Sequence, residues 1–269
     1  MADLLLDKDL RKALKLHQFQ LYYQPKLDLA SGKITGVEAL IRWERPEKGI
    51  IFPAEFIPLI EETGLIFPIG EWVLQTACTQ SKAWQNAGLP PFIMVVNIFE
   101  RQLYYTNFVE SVESILYETG LVPSYLELEI TEHMTMDIPR ILPILKDLKR
   151  IGVRISLDNF GKGYSSLFNF KKLPIDIIKI YRSFVSNCVI DMKDEKIVKA
   201  IIALAHELNV EVIAEGIESR YQLMCLQQSL CDKGQGYLFS TPLHPKDFMS
   251  KFHQLEHIII LKADLSLSA

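Results

Sequence analysis

Six apolar stretches of this chain each end in one polar or charged residue, and that repetition limits the fold more than any other feature. They are Phe92–Asn97, Leu126–Glu129, Val153–Asp158, Ile175–Lys179, Val210–Glu215 and, less cleanly, Gly234–Gln235. Most are short and rich in Val and Ile, and helix-like segments separate several of them. That is the pattern of parallel strands joined by crossover helices. In a closed α/β barrel the C-terminal strand ends converge at one mouth, where catalytic groups sit. An Asn, three carboxylates, a Lys and a Gln at such a mouth form an oxygen-rich, cation-binding set.

The 269 residues suffice for one large domain with a full core. We read residues 1–269 as one domain, with its core at about 9–248 and a closing helix and tail beyond, because no linker, repeat or low-complexity tract divides the chain. A net charge of −4 argues against a footprint for duplex nucleic acid. Cys78, Cys188, Cys225 and Cys231 follow no framework spacing and read as buried or partly buried free thiols of a reducing compartment. The first ten residues lack a signal peptide's basic and apolar regions, and no run approaches the ~18 apolar residues of a membrane span. The expected location is the cytoplasm.

Asp7–Lys15 reads as a short helix, and Phe19–Leu27 and Ile34–Trp43 as strands. Only Asp28–Lys33 joins these strands, too little for a crossover helix, so the pair should be an antiparallel hairpin. Further helices are expected at Pro53–Thr63, Ile69–Ala87, Phe108–Glu118, Pro139–Ile151, Ser165–Leu173, Asp194–Leu208, Ser219–Ser229 and His244–Leu261.

Period-two alternation puts Glu38, Leu40 and Arg42 on one face of their strand. Glu38 and Arg42 there either pair with each other or face a ligand. Glu38, Glu129, Asp158 and Glu215 in one volume repel one another unless cations neutralise them. Two divalent ions do so, and such a pair is a common device for cleaving phosphodiesters. The donors are all oxygens, which favours Mg²⁺ or Mn²⁺ over Zn²⁺. Lys179 could hold an attacking water or offset charge on phosphate, or be a solvated strand-end lysine. The glycines of Phe160–Ser166 suit a tight loop after Asp158 but have no P-loop spacing. His253-Gln-Leu-Glu-His257 fits an inverted zinc-protease pattern, yet the chain beyond it offers no obvious further acidic ligand, so an exposed helix face is the better account.

Together these motifs resemble the EAL-domain cyclic di-GMP phosphodiesterases, from about Asp9 to Phe248. The resemblance rests on Tyr23-Gln-Pro25, Glu38-Ala-Leu-Ile-Arg42, Glu129-Ile-Thr-Glu132, Asp158-Asn-Phe-Gly-Lys-Gly-Tyr-Ser-Ser166, Lys179, Ala214-Glu-Gly-Ile-Glu218 and Gln235-Gly-Tyr-Leu-Phe-Ser240. It implies an α/β fold, a modified (β/α)8 barrel of TIM type with one antiparallel strand at the start. It implies hydrolysis of cyclic di-GMP to linear 5′-pGpG, with Glu38, Lys179 and Glu215 in catalytic roles. Two ions, Mg²⁺ or Mn²⁺, would be held by Glu38, Asn97, Glu129, Asp158 and Glu215, with Asn159 at the second position. Gln24, Leu40, Arg42, Glu218 and Gln235 would bind or support the ligand. Glu132 would anchor the loop of Phe160, Gly161, Gly163, Tyr164 and Ser165, which the family also uses at a homodimer interface. A cytoplasmic bacterial setting follows from the resemblance. The first residues are similar to the usual junction with a partner domain, such as an N-terminal sensor or GGDEF-type domain of a longer parent chain.

Four positions depart from the family pattern. Asn159 stands where active members usually carry a second aspartate, Phe99 where serine is common, Lys162 where Thr or Ala is common, and Tyr181 where Asp is common. An amide offers one neutral oxygen where a carboxylate offers two charged ones, so the second ion should be held less tightly. A catalytically weak or inactive cyclic di-GMP receptor is therefore the alternative expectation, and a protein-interaction module without ligand is a third.

Overall fold

The structure, a computed structural model, describes residues 2–46, 49–163 and 170–256. Helix α1 (Ala2–Lys15) leads into the hairpin of β1 (Phe19–Asp28) and β2 (Ile34–Arg45), whose partners run antiparallel from Phe19 opposite Trp43 to Leu27 opposite Ile34. A three-residue strand β3 (Gly49–Ile51) adds to β2, and helices α2 (Pro53–Glu62) and α3 (Ile66–Asn86) follow. The chain continues through β4 (Ile93–Asn97), α4 (Glu100–Leu103), α5 (Phe108–Thr119), β5 (Leu126–Thr131), α6 (Ile138–Ile151) and β6 (Arg154–Phe160). It ends with β7 (Ile177–Ile180), α7 (Arg182–Asn187), α8 (Met192–Glu207), β8 (Glu211–Ala214), α9 (Arg220–Gln228), β9 (Lys233–Gly234) and α10 (Pro245–Glu256).

Strands β2, β4, β5, β6, β7, β8 and β9 run parallel in that order, and β1 joins β9 to β2 antiparallel to both. The sheet is thus a closed eight-stranded barrel with one reversed strand, as expected. Short elements escaped the sequence reading: β3, α4 and α7 have three, four and six residues, too few for a periodic pattern. Helix α1 starts earlier than expected. β6 runs past Asp158 to Phe160, with an irregular register to β7 after Leu157. Most of the helix expected at Ser165–Leu173, and the chain beyond Glu256, lie outside the described residues.

Local chemistry sets the boundaries. Asp191 caps α8 through the Lys193 N–H at 2.7 Å, and Ser219 and Gln222 form a reciprocal box at the start of α9. Gly152 ends α6 at φ +101°, a left-handed turn that costs glycine little.

Outward strand residues such as Leu126, Leu128, Ile130, Ile178 and Val212 are fully buried against the helices. Phe248 and Phe252 of α10 close the layer against Trp84 and Phe92, at ring separations of 4.8 and 5.7 Å. Each such side chain contributes roughly 1.5–3 kcal/mol by leaving water. The lumen differs. Val95, Ile177 and Ile213 are buried there but stand apart from the main apolar cluster, among Lys26, Glu127, Glu129, Ser156 and Lys179, all at most 3% exposed. A barrel of this kind usually fills its interior with branched apolar side chains. Here much of that space is charged.

Candidate active site

Alternation along each strand decides which groups enter the lumen. On β5, Glu127 and Glu129 point inward between outward Leu126, Leu128 and Ile130, and on β7 Lys179 points inward between Ile178 and Ile180. In register, Asn97 stands beside Glu129, and Glu38 on β2 faces Gln24 on β1.

These side chains converge. One oxygen each from Glu38, Glu129 and Glu215 lies within 4.8 Å of the others. Lys179, 1% exposed, sits among them: its Nζ is 2.5 Å from Oε1 of Glu129, 3.5 Å from Oε2 of Glu38 and 3.9 Å from Oδ1 of Asp158, and it also touches Oε1 of Glu215. It is no solvated strand-end lysine but the internal counter-ion of four carboxylates. Asn97 donates to Oε1 of Glu38 at 2.7 Å, and Gln235 donates to Oε2 of Glu38 and Oε1 of Gln24, both at 2.9 Å. Oε1 of Gln235 is buried and accepts no hydrogen bond among the described residues.

Titration follows from this crowding. Burial pushes Glu38 up, but Lys179, Lys26 and the two amide donors outweigh it and hold Glu38 down at about 2. For Glu129 burial wins against Lys179; the charges of Glu38 and Asp158 add to it, and the group rises to about 8. Glu215 is also raised, first by burial. Burial opposes the charge of Lys179, yet Glu129, Glu215, Glu38 and Asp158 together raise its pKa well above the ordinary lysine value.

An open cleft adjoins the cluster. Of the expected residues it is lined by Gln24, Glu38, Leu40, Glu215, Glu218 and Gln235; it adds Gly216, Gly236 and Tyr237, which stand within the quoted motifs but were given no role, and Arg182, which the sequence reading missed. Arg182 opens a six-residue helix and bonds Oε1 of Glu218 at 2.5 Å. Such a helix leaves no pattern to read. Arg42 does not pair with Glu38: its guanidinium donates to the Ile41 carbonyl and lies 4.9 Å over the Phe52 ring.

The loop after Asp158 is placed differently from the cluster. Asn159 turns to φ +59° and, with Glu132 and Lys162, lines a separate depression. Its amide reaches Asp158, not Lys179. Oε2 of Glu132 accepts the Lys162 N–H at 3.1 Å, and Phe160 is buried against Phe170 at 5.1 Å. Gly161 and Gly163 have φ +96° and +106°; Tyr164 and Ser165 lie outside the described residues. His253 of the zinc-like pattern is exposed and pairs along its own helix with Glu256, while His257 lies outside the described residues. The four cysteines are free, three of them buried.

A family model described as the EAL domain matches residues 7–242. The chain belongs to the EAL domain family. Among relatives of this EAL domain is the bifunctional diguanylate cyclase/cyclic di-GMP phosphodiesterase MucR of Pseudomonas aeruginosa, 43% identical over 243 residues, covering 90% of this chain and 36% of the relative. Another is the cyclic di-GMP phosphodiesterase NbdA of the same organism, 40% identical over 242 residues, covering 90% and 31%. The chain therefore spans about a third of the length of these curated relatives. A solved phosphodiesterase structure of PaMucR in complex with c-di-GMP superposes with a TM-score of 0.87 at 43% identity, covering 90% of this chain and 99% of that one. An EAL domain protein from Listeria monocytogenes EGD-e gives 0.82 at 32% identity, covering 92% and 97%. No described helix is long and apolar enough to cross a membrane.

Proposed function

We propose that this EAL domain hydrolyses cyclic di-GMP to linear 5′-pGpG with the help of two divalent ions, Mg²⁺ or Mn²⁺. The observation that carries the proposal is the convergence of Glu38, Glu129, Glu215 and Asp158 on Lys179 at the strand ends. The donor set fits hard divalent ions: carboxylates and the Asn97 amide, with no soft ligand. Bound ions supply Lewis acidity and lower the pKa of water.

Glu38, Asn97, Glu129, Asp158 and Glu215 are the residues that would hold the ions. Lys179, which stands among these carboxylates, would orient the attacking water and offset charge gathering on phosphate. The water oxygen bonds to phosphorus, the bond from phosphorus to the 3′ oxygen breaks, and that oxygen leaves with a proton. Gln24, Leu40, Glu218 and Gln235 seat the dinucleotide in the cleft, and Arg42 reaches a phosphate. Asn159 would hold a second ion less tightly than a carboxylate does, because an amide offers one neutral oxygen. Incubation of the purified chain with cyclic di-GMP and Mn²⁺, with products separated by anion exchange, tests the reading. No pGpG after long incubation at high protein rules it out.

A second reading has an observation of its own. Asn159 engages Asp158 with both its amides, as a receptor that binds without turnover could tolerate. Calorimetric binding of cyclic di-GMP without pGpG would favour it. A homodimer through the loop after Asp158 belongs to the same proposal, to be tested by sedimentation, and the greater length of bacterial relatives supports a parent chain with further domains.

A further inference from the structure

Beneath the carboxylates lies a second buried lysine with no part in the chemistry above. Lys26 on β1 is 3% exposed, and its Nζ stands 3.4 Å from Oε2 of Glu129 and 3.7 Å from Oε1 of Glu127. Lys179 takes the other oxygen, Oε1, of Glu129. Each oxygen of Glu129 therefore has its own lysine, one toward the mouth and one deeper, and the carboxylate plane is fixed between them.

The strands dictate this arrangement. Gln24 and Lys26 are successive inward positions of β1, as Glu127 and Glu129 are of β5. Gly36, opposite Lys26 in the hairpin register, adds no side chain to that layer. Oε1 of Glu127 is buried and accepts no hydrogen bond, so its compensation is the ion pair with Lys26. A lone lysine here would repel a divalent cation above it. Glu127 cancels most of that field and leaves the contact with Glu129 as the net effect.

We infer that Lys26, with Glu127 as counter-ion, is a positioning residue for Glu129: it retains Oε2 from below so that Oε1 alone is presented to a divalent cation. The inference rests on the metal-dependent reading and predicts one-oxygen ligation by Glu129. Outer partners that orient a ligand are typically worth about 10–100-fold in metal affinity.

The test is Mn²⁺ titration of the purified chain by calorimetry, beside a thermal melt in chelator. Lys26→Met/Glu127→Gln removes one charge of each sign, so the field at the mouth changes little. The expected result is a melt close to wild type with Mn²⁺ affinity lowered about 10–100-fold. Lys26→Met/Glu127→Leu, with a fully apolar layer, is expected to give the same loss. An Mn²⁺ affinity within twofold of wild type in a folded variant overturns the inference, as does failure of both variants to fold, which marks the pair as a structural strut. A wild type that takes up no Mn²⁺ is a different result: it defeats the metal reading itself, and this inference with it.

Discussion

The side-chain amide of Asn159 donates to Oδ2 of Asp158 at 2.6 Å, and its backbone N–H donates to Oδ1 at 2.7 Å. Both oxygens of a candidate metal ligand are thus engaged by the residue that follows it. An aspartate at 159 keeps the backbone contact, cannot donate from its side chain, and brings a charge of its own. Asn159→Asp should lower the Mn²⁺ concentration for half-maximal hydrolysis by about tenfold, the lower end of what a ligand-orienting contact is worth. The φ of +59° suits Asp nearly as well as Asn, so folding should hold. An unchanged Mn²⁺ dependence in kinetic titrations would show that Asn159 does not limit metal binding.

Lys179 carries the electrostatics of the metal-free site. Its removal leaves the buried Glu38 and Glu129 beside the half-buried Glu215 with only Lys26 to offset them, and breaking a buried pair this way typically costs ~3–5 kcal/mol. In chelator, Lys179→Met should melt well below wild type, by roughly 6 °C or more for a chain of this size. Added Mn²⁺ should then raise its melting temperature by more than it raises that of wild type, because the ions replace the missing charge. Hydrolysis should fall at least ~10²-fold for loss of the water-orienting cation. Equal Mn²⁺ shifts in the two proteins would show that Lys179 and the ions do not share a place.

Protonation of Glu129 gives a pH test with two opposite signs. Burial raises this carboxyl to about 8, far above the usual carboxylate range, so below about pH 8 a proton competes with the metal. Mn²⁺ affinity should rise by up to about tenfold per pH unit from pH 6 and level off above 8. Stability of the metal-free protein should run the other way. A group whose folded pKa is raised gives stability that is fully present below its unfolded pKa and is lost as pH rises through the folded value, here about 8. Glu38, held down at about 2, contributes above the ordinary carboxylate range and loses its contribution only in acid, well outside this window. Melts in chelator from pH 6 to 9 should therefore decline, and Glu129→Gln should flatten the decline. A melt that climbs with pH over that range contradicts the assignment.

How much of this was legible in the sequence depends on what each residue's position encodes. The barrel was readable because its strands are apolar runs of one period, and the reversed start because six residues cannot carry a crossover. Glu129, Asp158 and Glu215 follow from strand ends, and Glu38 from alternation within its strand. Distances were not readable: alternation places Lys179 inside, but only closure of the barrel brings it to 2.5 Å from Glu129. Lys26 lies within reach of the same argument, since it shares a face with Gln24, but a lone lysine next to Pro25 carries no sequence signal of burial. Arg182 opens a six-residue helix with no period, so nothing local marks it as a cleft residue. The turn of Asn159 away from Lys179 depends on a backbone φ that Asn tolerates but does not require.

Gly236 offers a test of how rigidly the cleft holds Gln235. A Cβ at this position would lie 2.1 Å from the carbonyl oxygen of Ile217 and 2.4 Å from its nitrogen, both backbone atoms that no rotamer change can move. That oxygen already accepts the Leu238 N–H at 3.0 Å, and the Ile217 N–H donates to Gln235 at 3.1 Å. The β8 and β9 ends are laced together here with no room for a methyl group. Gly236→Ala must force the two segments apart, at a cost of about 3 kcal/mol, the upper range for overpacking. Separation carries Gln235 off Glu38 and Gln24, so cyclic di-GMP binding should weaken more than Mn²⁺ binding, since of the candidate metal ligands only Glu215 borders the displaced segment, while Glu38, Asn97, Glu129 and Asp158 sit on other strands. Paired calorimetric titrations of the variant distinguish the outcomes. Equal losses for dinucleotide and metal would mean that the whole mouth deforms and that Gln235 has no separate hold on the ligand.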